Sequence, residues 1–222
     1  GFVLSESTQY LVLMDDELAI ELGADVFGAV PEVFINADGI KKSVSAPGIG
    51  NYISFSKAVA AATRIVGEAS VRNHSFVHAH GSSTPANRRT ESELIDRIAR
   101  TFDLFDWPVT ATKSFVGHSL SAASGDQLIS ALGTFRYHII PGIKTIKEVA
   151  PDVFQERAIF PLQDVDVNDR QMHVAFINSK GFGGNNATAV VLSPIRLNSM
   201  LRSRHKEKFD RYLLLRERTR CK

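Results

Sequence analysis

The amino-acid sequence predicts a layered α/β fold, because short apolar runs alternate with loops and helical patterns. The run "SFVHAH" (75–80) precedes "GSSTP" and a helical pattern, and "WPVTATKS" (107–114) precedes the helical pattern of residues 121–137. Two further apolar runs, "HVAFINS" and "ATAVVLS", flank the loop "KGFGGNN" (180–186). Strands that alternate with loops and helices are typical of α/β layers, in which functional sites gather at the carboxyl ends of the strands.

The composition of the 222 residues indicates a soluble, globular chain. With 44% hydrophobic and 23% charged residues, and no apolar run of about 18 residues, it supports neither disorder nor a membrane span. The single cysteine, Cys221, excludes an intrachain disulfide and favours a reducing, cytoplasmic location. The chain opens on strand-like residues without an initiator methionine, so a fragment, or one product of a cleaved longer protein, stands as an equal alternative to a complete polypeptide.

The first part of the chain is predicted to contain a strand, turn and strand pair over residues 2–14, followed by a short helix. Asp15 or Asp16 can cap this helix at its start, and Gly23 can end it.

A strand is predicted over residues 25–35, which are rich in Val and Phe, with an edge position or a bulge near Pro31. A loop rich in Gly, Pro and Ser follows over about residues 37–51. The next segment predicts a helix buried on one side, because its apolar residues recur at helical spacing: Phe55, Val59, Ala62 and Val66.

Two more helices are predicted, each after one of the strands that precede a loop. Thr90 and Glu93 have the spacing of a capping box at the start of the first of them. The apolar stripe of that helix is Leu94, Ile95, Ile98 and Phe102. The apolar stripe of the second is Leu128, Ile129, Leu132 and Phe135.

Two histidines occupy equivalent places in the predicted layers. His80 ends a buried strand, and His118 lies in the loop before a helix, where the positive end of the helix dipole disfavours the imidazolium form. We expect His118 to be neutral and to donate a hydrogen bond. A metal site formed by His78, His80 and His118 is an alternative, although no carboxylate or cysteine has ligand spacing and Lys113 would oppose a cation.

The loop "GFGGNN" has two interpretations. It can be a simple hairpin turn between strands, or the backbone N–H groups around Phe182 can stabilise an oxyanion. A phosphate-binding loop is disfavoured, because the lysine and the following helix of that motif are absent here.

The charge is divided unevenly along the chain. Residues 196–222 hold ten Lys or Arg against three Asp or Glu, a net +7, so the remainder carries −5. This basic helical tail is predicted to be a solvated surface helix, or a contact for an acidic partner; nucleic acid is disfavoured as a partner.

Taken in order, "HGSSTP", "TKSFVGHSLSAASG" and "NSKGFGGNNA" resemble the second half of a β-ketoacyl-[acyl-carrier-protein] synthase, a decarboxylating condensing enzyme. "GFVLSES" resembles the segment that closes the first half of these enzymes. The resemblance covers residues 1 to about 194, and "HGSSTPANR" is closest to a bacterial branch of long, stand-alone synthases that start fatty-acid chains. It implies the thiolase-like αβαβα fold, mainly its C-terminal half.

The resemblance also implies residue roles. His80 and His118 match the two histidines that donate hydrogen bonds to the malonyl thioester oxygen, and Lys113 matches the lysine that supports them. Phe182, with Gly181 and Gly183 in the same loop, matches the gating and oxyanion-hole segment. The hydroxyl positions that meet the pantetheine arm correspond to Ser82 and Thr84.

Further implications concern the rest of the reaction. No cofactor is expected in the chain itself, since phosphopantetheine is carried by the acyl carrier protein that supplies the malonyl and acyl thioesters. A homodimer is implied, and the nucleophilic cysteine belongs to an N-terminal half outside this chain.

The chain departs from the family pattern near the histidines. Gln127 stands where the family has a glutamate, which leaves Asp126 as a displaced substitute beside the lysine. Arg88 replaces an aspartate, Asn185 a small residue and Lys180 a phenylalanine, so the packing of the loops and the shape of the acyl pocket are expected to differ.

Three hypotheses follow. The first is a β-ketoacyl synthase, an acyltransferase of fatty-acid biosynthesis, of which this chain supplies the decarboxylation machinery. The second is a non-catalytic partner subunit of the chain-length-factor type, and the third is the metal-dependent enzyme. The expected division places the end of the N-terminal half and connecting elements in residues 1–70, the C-terminal half in 71–195 and the basic helical tail in 196–222.

Overall fold

The computed structural model describes residues 2–39 and 48–221. The helices in these ranges are α1 (Asp16–Leu22), α2 (Ile49–Val66), α3 (Glu68–Asn73), α4 (Pro85–Thr101), α5 (Lys113–Val116), α6 (Ala123–Tyr137), α7 (Pro194–Arg204) and α8 (Lys206–Arg220). The strands are β1 (Ala29–Ala37), β2 (Ser75–His78), β3 (Trp107–Thr110), β4 (Ile139–Ile140), β5 (Ala158–Ile159), β6 (Val165–Asp166), β7 (Val174–Gly181) and β8 (Asn185–Leu192).

A mixed sheet with the order β1-β8-β7-β2-β3-β5 forms the centre of the described residues. Strands β7, β2, β3 and β5 are parallel to one another. Strand β8 lies between β1 and β7 and is antiparallel to both. Since β2, β3 and β7 run in the same direction, their carboxyl ends lie at one edge of the sheet. The three loops that follow these strands are the ones with the conspicuous sequence motifs, and this edge brings them together.

Helices cover both faces of the sheet. On β2, Phe76 belongs to a core cluster with residues of α6, and the next residue, Val77, belongs to a cluster with residues of α2 and α4. This alternation follows from the two-residue period of a strand. Both side chains are fully buried, which explains why the strand has an uninterrupted apolar pattern.

The predicted strand pair over residues 2–14 is wrong. The segment contains only an isolated bridge between Leu4 and His118 and otherwise belongs to no strand. Its apolar side chains are largely exposed, with Tyr10 at 91% and Leu13 at 82%. An alternating apolar pattern forms a sheet only where a neighbouring strand is available, and the described residues place none beside most of this segment.

The limits of the first helix agree with the prediction. The Asp15 carboxylate accepts a hydrogen bond from the Leu18 N–H at 2.8 Å, and Gly23 ends the helix in the left-handed region at φ 63°. Strand β1 agrees in its edge position and in the register shift between Ala29 and Glu32, on either side of Pro31, but it begins at Ala29 and not at residue 25.

Two other predicted limits need correction. Helix α2 begins at Ile49, so the loop expected over residues 37–51 is shorter, and its residues 40–47 lie outside the described residues. Strand β2 ends at His78, and His80 follows in the loop. The predicted one-sided burial of α2 is confirmed, since Phe55, Val59, Ala62 and Val66 are all buried.

The predicted capping box at Thr90 is wrong, because α4 begins one turn earlier. Thr84 caps the helix by accepting a hydrogen bond from the Asn87 N–H at 3.3 Å, and Pro85 occupies the first helical position. In α6 the buried face is centred on Gln127, Ala131 and Phe135, and the predicted core residue Ile129 is 48% exposed.

The residues of the predicted basic tail form α7 and α8, which pack against α1. Ile20, Leu201, Phe209 and Tyr212 form a small apolar cluster between the three helices. Around it, Asp16 contacts Arg204 and His205 at 3.0 and 2.7 Å, and Asp25 contacts Arg220 at 2.8 Å. Among the described residues, no helix has both the length and the apolar character needed to cross a membrane.

Candidate active site

The loops that follow β2, β3 and β7 surround a cavity of about 480 Å³ at the edge of the sheet. Most of the residues predicted for the site line this cavity: His80, Ser82, Thr84, His118, Gly181 and Phe182. Lys113 lies elsewhere, on a neighbouring cavity of about 580 Å³ that His118 and Ser82 also line. Gly183 lines neither cavity and occupies the hairpin turn.

The two histidine rings lie together in the cavity, with their centroids 5.2 Å apart and their planes at 78°. The Nδ1 atom of His80 accepts a hydrogen bond from the Lys180 N–H at 3.3 Å, and the Nδ1 atom of His118 accepts one from the Leu120 N–H at 3.1 Å. A backbone N–H can only donate, so each neutral ring carries its proton on Nε2. Both histidines are therefore set to donate a hydrogen bond from Nε2.

Burial is the main reason that both rings stay neutral. It lowers the pKa of His80, an effect that the Glu91 carboxylate opposes and the Lys113 charge reinforces. Burial and Lys113 also lower the pKa of His118. The helix dipole that we expected to act on His118 is displaced, because α6 begins only at Ala123.

Lys113 is a buried cation in the first turn of the short helix α5. Its side chain is 9% exposed, and its Nζ atom has no hydrogen-bond partner among the described residues. Desolvation lowers the pKa of Lys113 to about 8, while the carboxylates of Glu91 and Asp126 act in the opposite direction. Gln127 is engaged elsewhere, because its Nε2 atom donates to the Ala79 carbonyl at 2.7 Å.

Glu91 is a site residue that our sequence analysis missed. Its carboxylate is 3% exposed and accepts four hydrogen bonds, from the His80 and Gly81 N–H groups at 2.7 and 2.9 Å and from Asn87 and Asn178 Nδ2 at 2.9 and 2.7 Å. Burial alone would raise the pKa of Glu91, but its charged and hydrogen-bonding surroundings lower it below the usual value.

The signal for Glu91 was present in the helical pattern. Position 91 lies three, four and seven residues before Leu94, Ile95 and Ile98, so it shares their apolar face. A carboxylate on a buried helix face requires several donors around it, and such a site is a candidate for function.

The glycine-rich loop forms the predicted hairpin between β7 and β8. Gly183 and Gly184 have φ angles of 82° and 84°, which the absence of a side chain permits. Asn185 donates from Nδ2 to the Phe182 carbonyl at 3.2 Å across the turn. The Phe182 side chain is 76% exposed at the cavity mouth.

His78 has different surroundings from the histidine pair. Its ring is fully buried, packs edge-on against Phe76 and contacts the Thr112 Oγ1 atom through Nδ1 at 3.1 Å. It lines neither of the two cavities described above. Within the described ranges, no group of three or more His, Cys, Asp or Glu side chains is placed to hold a metal ion, so the three histidines of the metal hypothesis do not converge.

The burial of His78 predicts acid sensitivity of the fold. Desolvation, with a smaller effect of Lys113, lowers the pKa of His78 to about 3 from 6.5. Between these two pH values, the unfolded chain binds more protons at His78 than the folded chain does. His78 therefore leaves the free energy of unfolding unchanged above pH 6.5 and lowers it as the pH falls below 6.5. We expect His78→Asn to make the fall in melting temperature between pH 7.5 and 5 shallower, and His138→Asn to leave it unchanged. Identical slopes in the wild type and His78→Asn would contradict this assignment.

Comparisons with known proteins identify the family of this chain. The family model described as "Beta-ketoacyl synthase, C-terminal domain" matches residues 28–147. The chain is 63% identical over 222 residues to the Beta-ketoacyl-[acyl-carrier-protein] synthase FabY of Pseudomonas aeruginosa, covering 100% of this chain and 35% of that protein. It is 30% identical over 193 residues to the 3-oxoacyl-[acyl-carrier-protein] synthase 2 of Synechocystis, covering 85% of this chain and 43% of that protein.

The fold comparison gives the same result. The crystal structure of the noncanonical ketosynthase FabY from Pseudomonas aeruginosa superposes with a TM-score of 0.96 over 100% of this chain and 35% of that one, at 63% identity. The prediction of a thiolase-like α/β fold is thereby confirmed. The chain thus spans about a third of the length of this relative, and it belongs to the β-ketoacyl synthase family, of which it contains the C-terminal domain.

Proposed function

We propose that this chain is the decarboxylating, C-terminal part of a β-ketoacyl-[acyl-carrier-protein] synthase in fatty-acid biosynthesis. The observation that supports it most is the pair of neutral rings, His80 and His118, each with Nδ1 occupied by a backbone donor and Nε2 left to donate into one cavity.

The chemistry of such a synthase needs this arrangement. When the malonyl thioester loses CO₂, the electron pair of the broken C–C bond moves to form an enolate, and negative charge develops on the thioester oxygen. Two neutral donors fixed in a buried cavity stabilise this charge with little reorganisation of solvent. The enolate carbon then attacks the acyl thioester of a cysteine that lies outside this chain, and the cysteine thiolate leaves.

The other site residues have supporting roles in this proposal. The charge of Lys113 adds to the electrostatic stabilisation of the enolate, and the N–H of Phe182, in the turn with Gly181 and Gly183, contributes to an oxyanion hole. Ser82 and Thr84, whose hydroxyl groups are 3.5 Å apart on the cavity wall, contact the pantetheine arm.

The partners follow from the same reaction. Malonyl and acyl thioesters arrive on the phosphopantetheine of an acyl carrier protein, and no further cofactor is required. The protein acts in the cytoplasm as a homodimer that includes the N-terminal half, and the basic face of α7 and α8 is a candidate contact for an acidic carrier protein. The names of the two synthase relatives support the carrier-protein substrate.

The test uses the whole protein that contains this chain, identified by its intact mass and N-terminal sequence. Purified protein is given malonyl carrier protein with and without an acyl donor, and CO₂ release and β-ketoacyl product are measured separately. We expect substitution of the cysteine nucleophile by alanine to abolish condensation while decarboxylation continues. Condensation that survives removal of every cysteine would overturn the proposal, and loss of neither activity on changing the histidines would favour the partner-subunit alternative.

Lys113 predicts an alkaline limit to decarboxylation. Its pKa of about 8 means that its charge, and with it part of the enolate stabilisation, is present below pH 8 and lost above it. We expect the decarboxylation rate to fall above pH 8, and Lys113→Met to be slower at all pH values without this fall. The matched variant Lys113→Arg keeps its charge throughout this range, so its rate should stay level between pH 8 and 10. An alkaline fall that persists in Lys113→Met would exclude Lys113 as its origin.

A further inference from the structure

Lys180 lies at the end of β7 and makes two hydrogen bonds, one to His80 and one to Asn87. Its backbone N–H donates to the Nδ1 atom of His80 at 3.3 Å, and its Nζ atom donates to the Oδ1 atom of Asn87 on α4 at 3.1 Å. The position carries a phenylalanine in the family pattern that the sequence resembles. The lysine is therefore a feature of this chain that the reaction proposed above does not use.

The contact with Asn87 continues to His80 by a second route. The Nδ2 atom of Asn87 donates to Glu91 Oε2 at 2.9 Å, and Glu91 Oε1 accepts the N–H of His80 at 2.7 Å. Lys180 is thus joined to the ring of His80 through its own backbone and to the backbone of His80 through its side chain. These contacts fix both the position of the residue and the direction of its ring.

Lys180 also belongs to the charges that surround His80. These are Glu91 on α4, Lys113 on α5, His118 in the next loop and Lys180 on β7. Glu91 favours the imidazolium, whereas the other three disfavour it. Lys180 lines the same cavity as His80, and its ammonium is held there by Asn87.

We propose that Lys180 is a positioning residue for His80: its ammonium, fixed on Asn87, adds to the charges that oppose the field of Glu91, and its two chains of contacts hold the ring with Nε2 as the donor. The inference rests on the proposed function for its catalytic meaning. A protonated His80 would lose the lone pair on Nδ1 that accepts the Lys180 N–H, and the ring would turn out of its position.

The test compares Lys180→Met, Lys180→Arg and the control Lys57→Met, which removes an exposed lysine from α2, in the whole protein. The first measurement is the rate at which diethyl pyrocarbonate modifies His80, followed by peptide mass spectrometry between pH 3 and 8, since only a neutral imidazole reacts and burial lowers the pKa of His80 to about 4. The midpoint of this profile should move up by as much as about 1 pH unit in Lys180→Met, because removing one of the like charges around His80 favours the imidazolium. Lys180→Arg and Lys57→Met should retain the wild-type midpoint.

The second measurement is the pH profile of malonyl carrier-protein decarboxylation. The acid limb should move to higher pH in Lys180→Met and stay in place in Lys180→Arg. A merely structural role would lower the rate of Lys180→Met by the same factor at every pH and leave the modification midpoint unchanged, and this result would overturn the inference. The diethyl pyrocarbonate measurement does not depend on decarboxylation. If the whole protein does not decarboxylate malonyl carrier protein, only the proposed function is refuted, and the modification midpoint still tests the role of Lys180.

Discussion

Replacing either His80 or His118 with alanine should lower the rate of malonyl carrier-protein decarboxylation by about 10²- to 10³-fold, the usual effect of removing one donor from an oxyanion-type site. Each ring directs its Nε2 donor by giving Nδ1 to a backbone N–H, so each truncation removes one hydrogen bond to the developing enolate. The measurement is CO₂ release by the whole protein under saturating substrate, because the loss is expected in kcat more than in KM.

The double variant should be less impaired than the product of the two single effects predicts. The rings are 5.2 Å apart and are proposed to share one oxygen, and groups that act as a unit are not additive. His138→Asn is a suitable control, because it replaces a histidine at the far end of α6, in a left-handed conformation that asparagine tolerates. Decarboxylation within threefold of the wild type in both single variants would show that the rings have a structural role only.

Replacing Glu91 with alanine should lower the free energy of unfolding by about 3–5 kcal/mol, the range for removing one partner of a buried charged network. Four donors lose their acceptor, and each buried donor left without a partner costs about 1–3 kcal/mol unless water reaches it. Two of these donors are the N–H groups of His80 and Gly81, so decarboxylation should fall as well, although Glu91 touches no substrate in the proposed mechanism.

The stability of Glu91→Ala is measured by the urea midpoint of the whole protein, with Glu91→Gln as an intermediate case that keeps one acceptor oxygen. Glu93→Ala is the matched control: Glu93 lies on the same helix, and its ion pair with Arg97 is between partly exposed side chains at 2.7 Å. Such a pair contributes about 1 kcal/mol or less. If Glu91→Ala and Glu93→Ala shift the midpoint equally, the carboxylate network does not stabilise this region of the fold.

Local patterns were enough to predict much of the architecture. The spacing of Phe55, Val59, Ala62 and Val66 predicted the buried face of α2, and Asp15 and Gly23 predicted both ends of α1. Patterns within a few residues describe these features, because helix caps and amphipathic faces depend on neighbours three and four positions away.

The same local rules failed where contacts between residues far apart in the sequence determine the structure. The 2–14 segment has strand-like residues but needs a neighbouring strand, and Ile129 fits the stripe of α6 but lies beyond the edge of its buried face. Glu91 escaped notice for a related reason: its donors include Asn178, 87 residues away in the chain, and no short window contains both.

By itself, the sequence determined that the chain is an α/β protein with three motif loops at strand ends, because the order of apolar runs, small residues and helical stripes is a local property. It also predicted that His80 and His118 form a pair, and the structure places their rings 5.2 Å apart. Only the tertiary structure decided that both rings carry their proton on Nε2, that Lys113 lines the neighbouring cavity and that Glu91 and Lys180 both contact His80. The physical reason is that tautomers, pKa values and cavity walls depend on atoms brought together by the parallel order of β2, β3 and β7, and sequence distance does not predict which atoms those are.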